Sequence, residues 1–525
     1  MGYRYSGLIL AAFGLIVSAC TTLPRDYERT SSSALQDTEY TRLGRELAPI
    51  VNRHPGKSGL EPLFKGTDAF AARWILADVA ERSLDVQYYL WHDDDTGKLL
   101  LGQLLSAADR GVRVRLLLDD ISTGTHDLSL TAIDRHPKIE VRLFNPFIAR
   151  KRRMLEGITS FKRVNRRMHN KSFTADNQVT IVGGRNIGDM YFEARVDVNY
   201  ADFDVMAVGP VVRGVYEAFD AYWNSEFAVP IGVLEEAGTG DQLEQIRITL
   251  EQHTDAMRDS EYIAAVRTSS FIAQLKRGDL LHYWGEAQAV YDDPGKAAAS
   301  PGDASTYLKA KMRPVVLATN SELFIISAYF VPGKEGMRVL KQLRERGVRV
   351  RVVTNSLGSN DVPIVHAGYA RYRKPMLRAG VELHEIKSTA VAPSRRSMRG
   401  LGGSSQASLH SKAYIFDRHK VFVGSFNLDP RSRHINTELG ILFEDARFAE
   451  FVATQLDAIL DQVAFRLELR ENPNEDIEFG GAQFQLEWVS MENGEEVRLD
   501  TEPNTSTWRR MGVWFLSLLP IEGQL

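Results

Sequence analysis

"MHNKSFTADNQVTIVGGRN" (168–186) and "LHSKAYIFDRHKVFVGSFN" (409–427) decide how this chain is read. Each holds a His, a Lys two residues on, an Asp five beyond that, and an Asn behind a glycine-containing pair. His169, Lys171, Asp176 and Asn186 recur as His410, Lys412, Asp417 and Asn427, and Gly184 is matched by Ser425, all at one offset of 241 residues. One such run is a weak signal. Two at a single offset are the mark of an internal repeat.

The surroundings repeat as well. In the first half "SLDVQYYLW" (83–91) reads as a buried strand, "GKLLLGQLLSAADRG" (97–111) as a helix and "VRVRLLLDD" (112–120) as a strand. "ELFIISAYF" (322–330), "GMRVLKQLRERG" (336–347) and "VRVRVVTNS" (348–356) follow the same order in the second half. Arg110–Arg115 and Arg346–Arg351 share the letters RGVRVR. Strand–helix–strand units of this kind predict an α/β fold with two tandem domains. Each domain is expected to hold a mixed, mostly parallel sheet flanked by helices. The two should pack about a pseudo-twofold with one shared active site, since loops at corresponding strand ends bind ligands in such sheets.

Strand geometry gives the spacing a chemical sense, because residues i and i+2 project to one face. His169 with Lys171, and His410 with Lys412, are therefore expected side by side. The following apolar runs, "VTIVGG" and "KVFVGS", should return as the next strand. Glycine lets backbone approach a bound group, and Asn186 and Asn427 can donate hydrogen bonds. Face to face, the halves would form a cage for a tetrahedral oxyanion such as phosphate. One imidazole must be neutral to attack phosphorus and the other protonated to serve the leaving oxygen. Asp202 and Glu438 are the expected carboxylates that fix the imidazole tautomers. Asp204 shares a strand face with Asp202 and leaves that choice open. Asp176 and Asp417 end their strands at turns and are expected to be structural. His54, His92, His366 and His434 read as packing or surface histidines. A metal site is disfavoured, since lysines beside a cation cost electrostatic energy. "HDDDTGK" (92–98) lacks the remaining positions of a calcium loop and reads as a turn.

Bulk properties narrow the partners. An apolar fraction of 44% places most of the 525 residues in folded domains. A formal net charge of −4 argues against a general nucleic-acid binder. The basic stretch 149–167 could hold a DNA backbone or anionic lipid headgroups. The basic, glycine-rich 394–405 reads as a loop that could serve as a lid. Cys20 is the sole cysteine, so no internal disulfide can form. It follows an apolar stretch from Leu8 to Val17 and the small residues Ser18 and Ala19, a pattern resembling the bacterial lipobox. The expected organisation is a lipoprotein signal peptide (1–19), a tether (20–60), the first domain (61–235), a helical linker (236–300), the second domain (301–470) and a tail (471–525). Trp508, Trp514 and Phe515 give the tail segment 508–519 the composition of an interfacial helix.

The doubled HxKxxxxD with its GG/GS-x-N element resembles the phospholipase D superfamily over about 60–470. "FKGTDAFAARWILADVAERSLDVQYYLWHDD", "VGGRNIGDMYF", "GSFNLDPRS" and "LPIEG" are similar to bacterial cardiolipin synthases, particularly the C type. The resemblance implies catalysis by His169, Lys171, Asn186, His410, Lys412 and Asn427, with support from Ser425 and Gly184 at the phosphate. It implies no cofactor and no metal, and a phosphohistidine route. A phosphatidyl group would pass to phosphatidylglycerol from phosphatidylethanolamine or a second phosphatidylglycerol. Hydrolysis to phosphatidic acid is the nearest alternative, a nuclease a more distant one. The anchor would place the enzyme in the cell envelope, facing the periplasm.

Overall fold

The computed structural model describes residues 22–517 except 124–126, 196–197, 236–238, 299–303, 390–405, 472–483 and 493. The expected signal peptide, Cys20, the 394–405 loop and the final "LPIEG" lie outside the described residues.

Strands of the first half are β1 (Ser58–Leu63), β2 (Ser83–Tyr88), β3 (Arg113–Asp119), β4 (Ile139–Phe144), β5 (Ser172–Ala175), β6 (Val179–Gly183), β7 (Val198–Ala201), β8 (Asp204–Val208) and β9 (Ala228–Pro230). Those of the second are β10 (Tyr283–Tyr291), β11 (Glu322–Ser327), β12 (Arg349–Asn355), β13 (Glu382–Ile386), β14 (Gln406–Leu409), β15 (Lys412–Phe416), β16 (Lys420–Gly424), β17 (Leu439–Glu444) and β18 (Ala464–Glu471). The tail adds β19 (Phe484–Glu492) and β20 (Glu495–Leu499).

The pairings join both halves edge to edge. The first runs β9-β4-β3-β2-β5-β6-β8-β1. The second runs β10-β17-β16-β15-β11-β12-β13-β18-β19-β20. Antiparallel β1 and β10 form the seam, with Gly59 opposite Trp284. Each half is the other's image across that seam, which is the expected pseudo-twofold. The sheet is mixed as expected, but its balance is antiparallel. Among the described residues only β2-β3-β4 and β11-β12-β13 run parallel within it. The helical crossovers enforce those pairs, whereas the motif strands return through tight turns and must run antiparallel.

Three segments outside the two expected domains pack against them. Within 236–300, expected as a helical linker, three helices lie between Gly240 and Arg277 and the seam strand β10 follows them. Alternation in "YWGEAQAVY" explains this, since one face meets the core and the other solvent. The linker helices do not float either, because Leu250, Tyr262 and Phe271 are buried in the first half's core. Tether residues pack on that half too: Arg115 donates to the Ser32 carbonyl at 2.8 Å and Ala34 N–H to Asp220 at 2.8 Å. The tail extends the sheet and ends in helix Thr507–Ser517, which buries Val513 against Leu357 and Ala367. Trp508, Met511, Trp514 and Phe515 on the same helix stay exposed. The helix thus both docks and presents an apolar face, because its two sides differ in composition. Among the described residues no helix is long and apolar enough to cross a membrane.

Asp176 shows how the motif strand is fixed. It sits at a positive φ of 49° and its carboxylate accepts from the backbone N–H groups of Glu81, Arg82 and Ser83 at 3.0, 2.7 and 2.9 Å. Asp417 takes the matching N–H groups of Asn320, Ser321 and Glu322. Removing the acceptor strands several backbone donors at once. Asp176→Ala should lower the unfolding free energy by about 2–4 kcal/mol. Asp176→Asn, which keeps one acceptor oxygen and tolerates the left-handed conformation, should lose less. Denaturant unfolding of the two variants separates these values.

Candidate active site

The strand expected to carry His169 and Lys171 begins only at Ser172, and its counterpart begins at Lys412. Both histidines precede their strands because each is pulled across to the other half. His169 N–H donates to the Thr437 carbonyl at 2.9 Å, and His410 N–H to the Ala201 carbonyl at 2.8 Å. The strand β14 lies parallel to β7, so the residues before His410 run beside those before Asp202. A single bridge, Met168 with Thr437, does the same before His169. Asp119 at the end of β3 takes the Met168 N–H at 2.7 Å. Asn355 at the end of β12 takes that of Leu409 at 2.9 Å.

These crossings bring each imidazole to a carboxylate of the opposite half. His169 Nδ1 lies 2.9 Å from Glu438 Oε2, and His410 Nδ1 lies 2.6 Å from Asp202 Oδ2. The choice between Asp202 and Asp204 is resolved by pairing, because Asp204 meets the buried Arg73 guanidinium at 2.8 Å. Seam residues set the acids. The Asp292 carboxylate, just after β10, accepts from Glu438 N–H at 2.9 Å. Arg185 reaches the carbonyls of Leu63 and Asp202 at 2.9 and 2.7 Å. The one-sided hydroxyl also finds its reason. Ser425 Oγ donates to Glu438, whereas a Cβ on Gly184 would stand 2.1 Å from Asp202 Oδ1. The shorter acid sits against a bare glycine.

Lys171 Nζ donates to the His169 carbonyl at 2.6 Å, and Lys412 Nζ to that of His410. Asn186 Oδ1 accepts from Leu90 N–H at 3.2 Å and its amide donates to Tyr191 Oη at 2.9 Å. Asn427 Oδ1 accepts from Tyr329 N–H at 3.3 Å. Both histidines and both asparagines line one cavity of about 660 Å3. Its walls also carry residues that the repeat did not single out. Tyr89 stands edge-on to His169 at 5.0 Å between ring centres, Tyr191 to His410 at 5.3 Å, and Tyr200 lies 5.2 Å from His410. Asp361 accepts from Tyr329 Oη at 2.9 Å and Tyr200 Oη at 3.3 Å. Position relative to the repeat was the available signal for Tyr89 and Tyr329, which follow the equivalent strands β2 and β11.

Burial dominates the protonation states. It pushes the His169 imidazole down to about 4, with Lys171 adding to the effect and Glu438 opposing it. His410 is lowered by burial and by Lys412. Lys171 falls to about 7 through burial and the Lys412 charge, and Lys412 to about 8 through burial. Burial opposes ionisation of Glu438, but His169, Lys171 and the Ser425 hydroxyl hold it below the usual carboxylate range. Asp202 is lowered in the same sense by His410 and Lys412. At neutral pH the arrangement is two carboxylates that accept Nδ1–H from two neutral imidazoles. Nε2 is left as the nitrogen available for chemistry. Of the remaining histidines, His54 stacks on Trp284 and His366 contacts Arg373 and Glu502, in keeping with packing roles.

A family model described as "Cardiolipin synthase, PLD-like domain" matches residues 76–223 and 316–460. Cardiolipin synthase C of Escherichia coli K12 is 44% identical over 92% of this chain and 99% of its own length. An uncharacterised Helicobacter pylori 26695 protein is 30% identical over 94% of each chain. Among solved structures, phosphatidylserine synthase of Haemophilus influenzae Rd KW20 superposes with a TM-score of 0.53 at 13% identity, covering 81% of this chain and 91% of that one.

Two outcomes test the crossed pairs. A buried His with a folded value near 4 and an ordinary value of 6.5 is protonated first in the unfolded chain. Stability should therefore fall as pH drops from 6.5 towards 4, and His169→Gln should flatten that part of the curve in pH-dependent unfolding. In activity, Asp202→Asn should reproduce the pH profile of impaired His410, not His169. Its kcat should fall about 10^4-fold with KM nearly unchanged, as for the loss of the carboxylate that fixes a catalytic imidazole's tautomer. With the family model matching both halves and a relative 44% identical over 92% of the chain, the chain belongs to the PLD-like cardiolipin synthase family.

Proposed function

We propose that this protein is a phosphatidyltransferase that makes cardiolipin, with phosphatidylglycerol as acceptor and phosphatidylethanolamine or phosphatidylglycerol as donor. The observation that carries the reading is the pair of imidazoles in one cavity, each held through Nδ1 so that its Nε2 is available. In this reading His169 takes the nucleophile's place and His410 that of the general acid. The Nε2 of His169 attacks phosphorus while the bond from phosphorus to the headgroup oxygen breaks, and His410 gives that oxygen its proton. A hydroxyl of phosphatidylglycerol then attacks the phosphohistidine, His410 takes its proton, and the phosphorus–nitrogen bond breaks. Lys171, Lys412, Asn186 and Asn427 hold the non-bridging oxygens, the ammonium groups by charge and the amides by direction.

Tyr89, Tyr191, Tyr200, Val362 and Ile364 in the cavity wall favour an alcohol on a lipid over water as the second nucleophile. Two tandem domains about the seam, Asp176 and Asp417 as structural supports, and Gly184 and Ser425 as supports of the acids complete the reading. Cys20 carries the lipid anchor, so the catalytic unit faces the periplasm. The exposed aromatic side of helix Thr507–Ser517 gives a further contact with the membrane.

Two experiments test the assignment. The full chain with phosphatidylglycerol vesicles and EDTA should form cardiolipin, more with phosphatidylethanolamine present, and either His169→Ala or His410→Ala should abolish it. Phosphatidic acid without cardiolipin would make the protein a hydrolase. Phosphatidyl-p-nitrophenol has a leaving group that needs no proton. His410→Ala should therefore still release one equivalent of p-nitrophenol in a burst and leave the phosphatidyl group on His169. A burst in His169→Ala instead would exchange the two roles.

A further inference from the structure

After β4 the basic stretch 149–167 forms a 3-10 turn at Arg150–Arg152 and helices Arg153–Thr159 and Phe161–Val164. Its inner side is firmly held. The buried Glu156 accepts from Ala149 N–H at 2.7 Å and pairs with Arg163, while Arg150 and Arg153 both pair with Asp120. Asn145 donates to the carbonyls of Arg163 and Arg166 at 2.9 and 2.8 Å. The outer side is fixed by the same contacts, and it is apolar. Met154 is 85% exposed and Ile158 74%, with Leu155 and Phe161 exposed beside them. Lys151, Arg152 and Lys162 are exposed around this patch. Scattered exposed apolar side chains are ordinary, but four within eight residues across two consecutive short helices are not.

The segment that carries the patch is tied at its C-terminal end to the wall of the catalytic cavity. Arg431, which lines that cavity, donates to Asn165 Oδ1 at 2.7 Å and to the Asn165 carbonyl at 2.8 Å. Four residues after Asn165 comes His169 itself. A DNA backbone would use the cations but leave Met154, Ile158 and Phe161 in water. An apolar protein partner would cover those three but gives no reason for the cations at the rim. An anionic bilayer satisfies both, with apolar side chains below the headgroups and cations among the phosphates.

We propose that residues 150–162 are a membrane seat that sets the catalytic cavity against an anionic lipid surface. The seat deepens the phosphatidyltransferase reading and rests on it for the lipid's role as substrate. The test is local to the segment and independent of turnover. In the full chain with Cys20→Ala, the sole thiol is replaced, and Ile158→Cys then carries an environment-sensitive fluorophore. Lys341→Cys, on the exposed side of helix Gly333–Glu345, is the control.

Vesicles of phosphatidylcholine with phosphatidylglycerol should shift emission at 158 to the blue, and quenchers on the acyl chains should reach it. The control at 341 should not shift, and phosphatidylcholine alone should act weakly at 158. Replacing Lys151, Arg152 and Lys162 together by Ser should raise the lipid concentration for half-shift roughly 100-fold, at about fivefold per cation. The proposal is overturned if 158 stays in water on anionic vesicles or if 158 and 341 shift alike. It is equally overturned if duplex DNA, or self-association read from protein concentration, shields 158 in place of lipid. Insertion at 158 without cardiolipin formation would keep the seat and overturn the transferase. Cardiolipin formation with 158 in water would do the reverse.

Discussion

Neither histidine of this protein is finished by its own half. His169 needs Glu438 and His410 needs Asp202, and each contact crosses between the halves. An imidazole buried without an acceptor at Nδ1 would leave a polar donor unpaired at a cost of about 1–3 kcal/mol. It would also rotate freely between tautomers, only one of which leaves Nε2 bare. The β1–β10 seam, the parallel contacts of β14 with β7, and the backbone hydrogen bonds to Thr437 and Ala201 all hold these two crossings in place. Folding and assembly of the active site are therefore one event.

The two crossings are alike in plan and different in detail. Glu438 reaches His169 with an extra methylene and takes the hydroxyl of Ser425, whereas Asp202 sits directly on Gly184. A side chain at 184 would displace the Asp202 carboxylate, so glycine there is a matter of space rather than backbone freedom. Such small inequalities are what a symmetric cage needs if two chemically identical imidazoles are to take opposite roles. Burial lowers both imidazoles, with Lys171 adding to the effect at His169 and Lys412 at His410.

Charge balance gives the cavity its preference for an anion. Lys412 and, in part, Lys171 are charged at neutral pH beside two carboxylates, and burial keeps the imidazoles free of a further proton. A bound phosphodiester brings one negative charge and makes that proton acceptable. Binding of a phosphodiester and protonation of an imidazole would therefore be coupled. Tyr89, Tyr191, Tyr200 and Tyr329 line the same cavity.

By itself the sequence determined the repeat and the four motif side chains of each half, and it narrowed the acids to Glu438 and either Asp202 or Asp204. Identical spacing at one offset carries that information without a structure. The tertiary structure decided which acid serves which histidine, because the crossing depends on strands that meet only across the seam. It decided between Asp202 and Asp204 through Arg73, 131 residues away from Asp204 in the chain. It also revealed β10 within a stretch that reads as linker, since a seam strand is specified by edge partners that local composition does not show. Periodicity records which face of a strand is buried; it does not record the neighbour against which that face is buried.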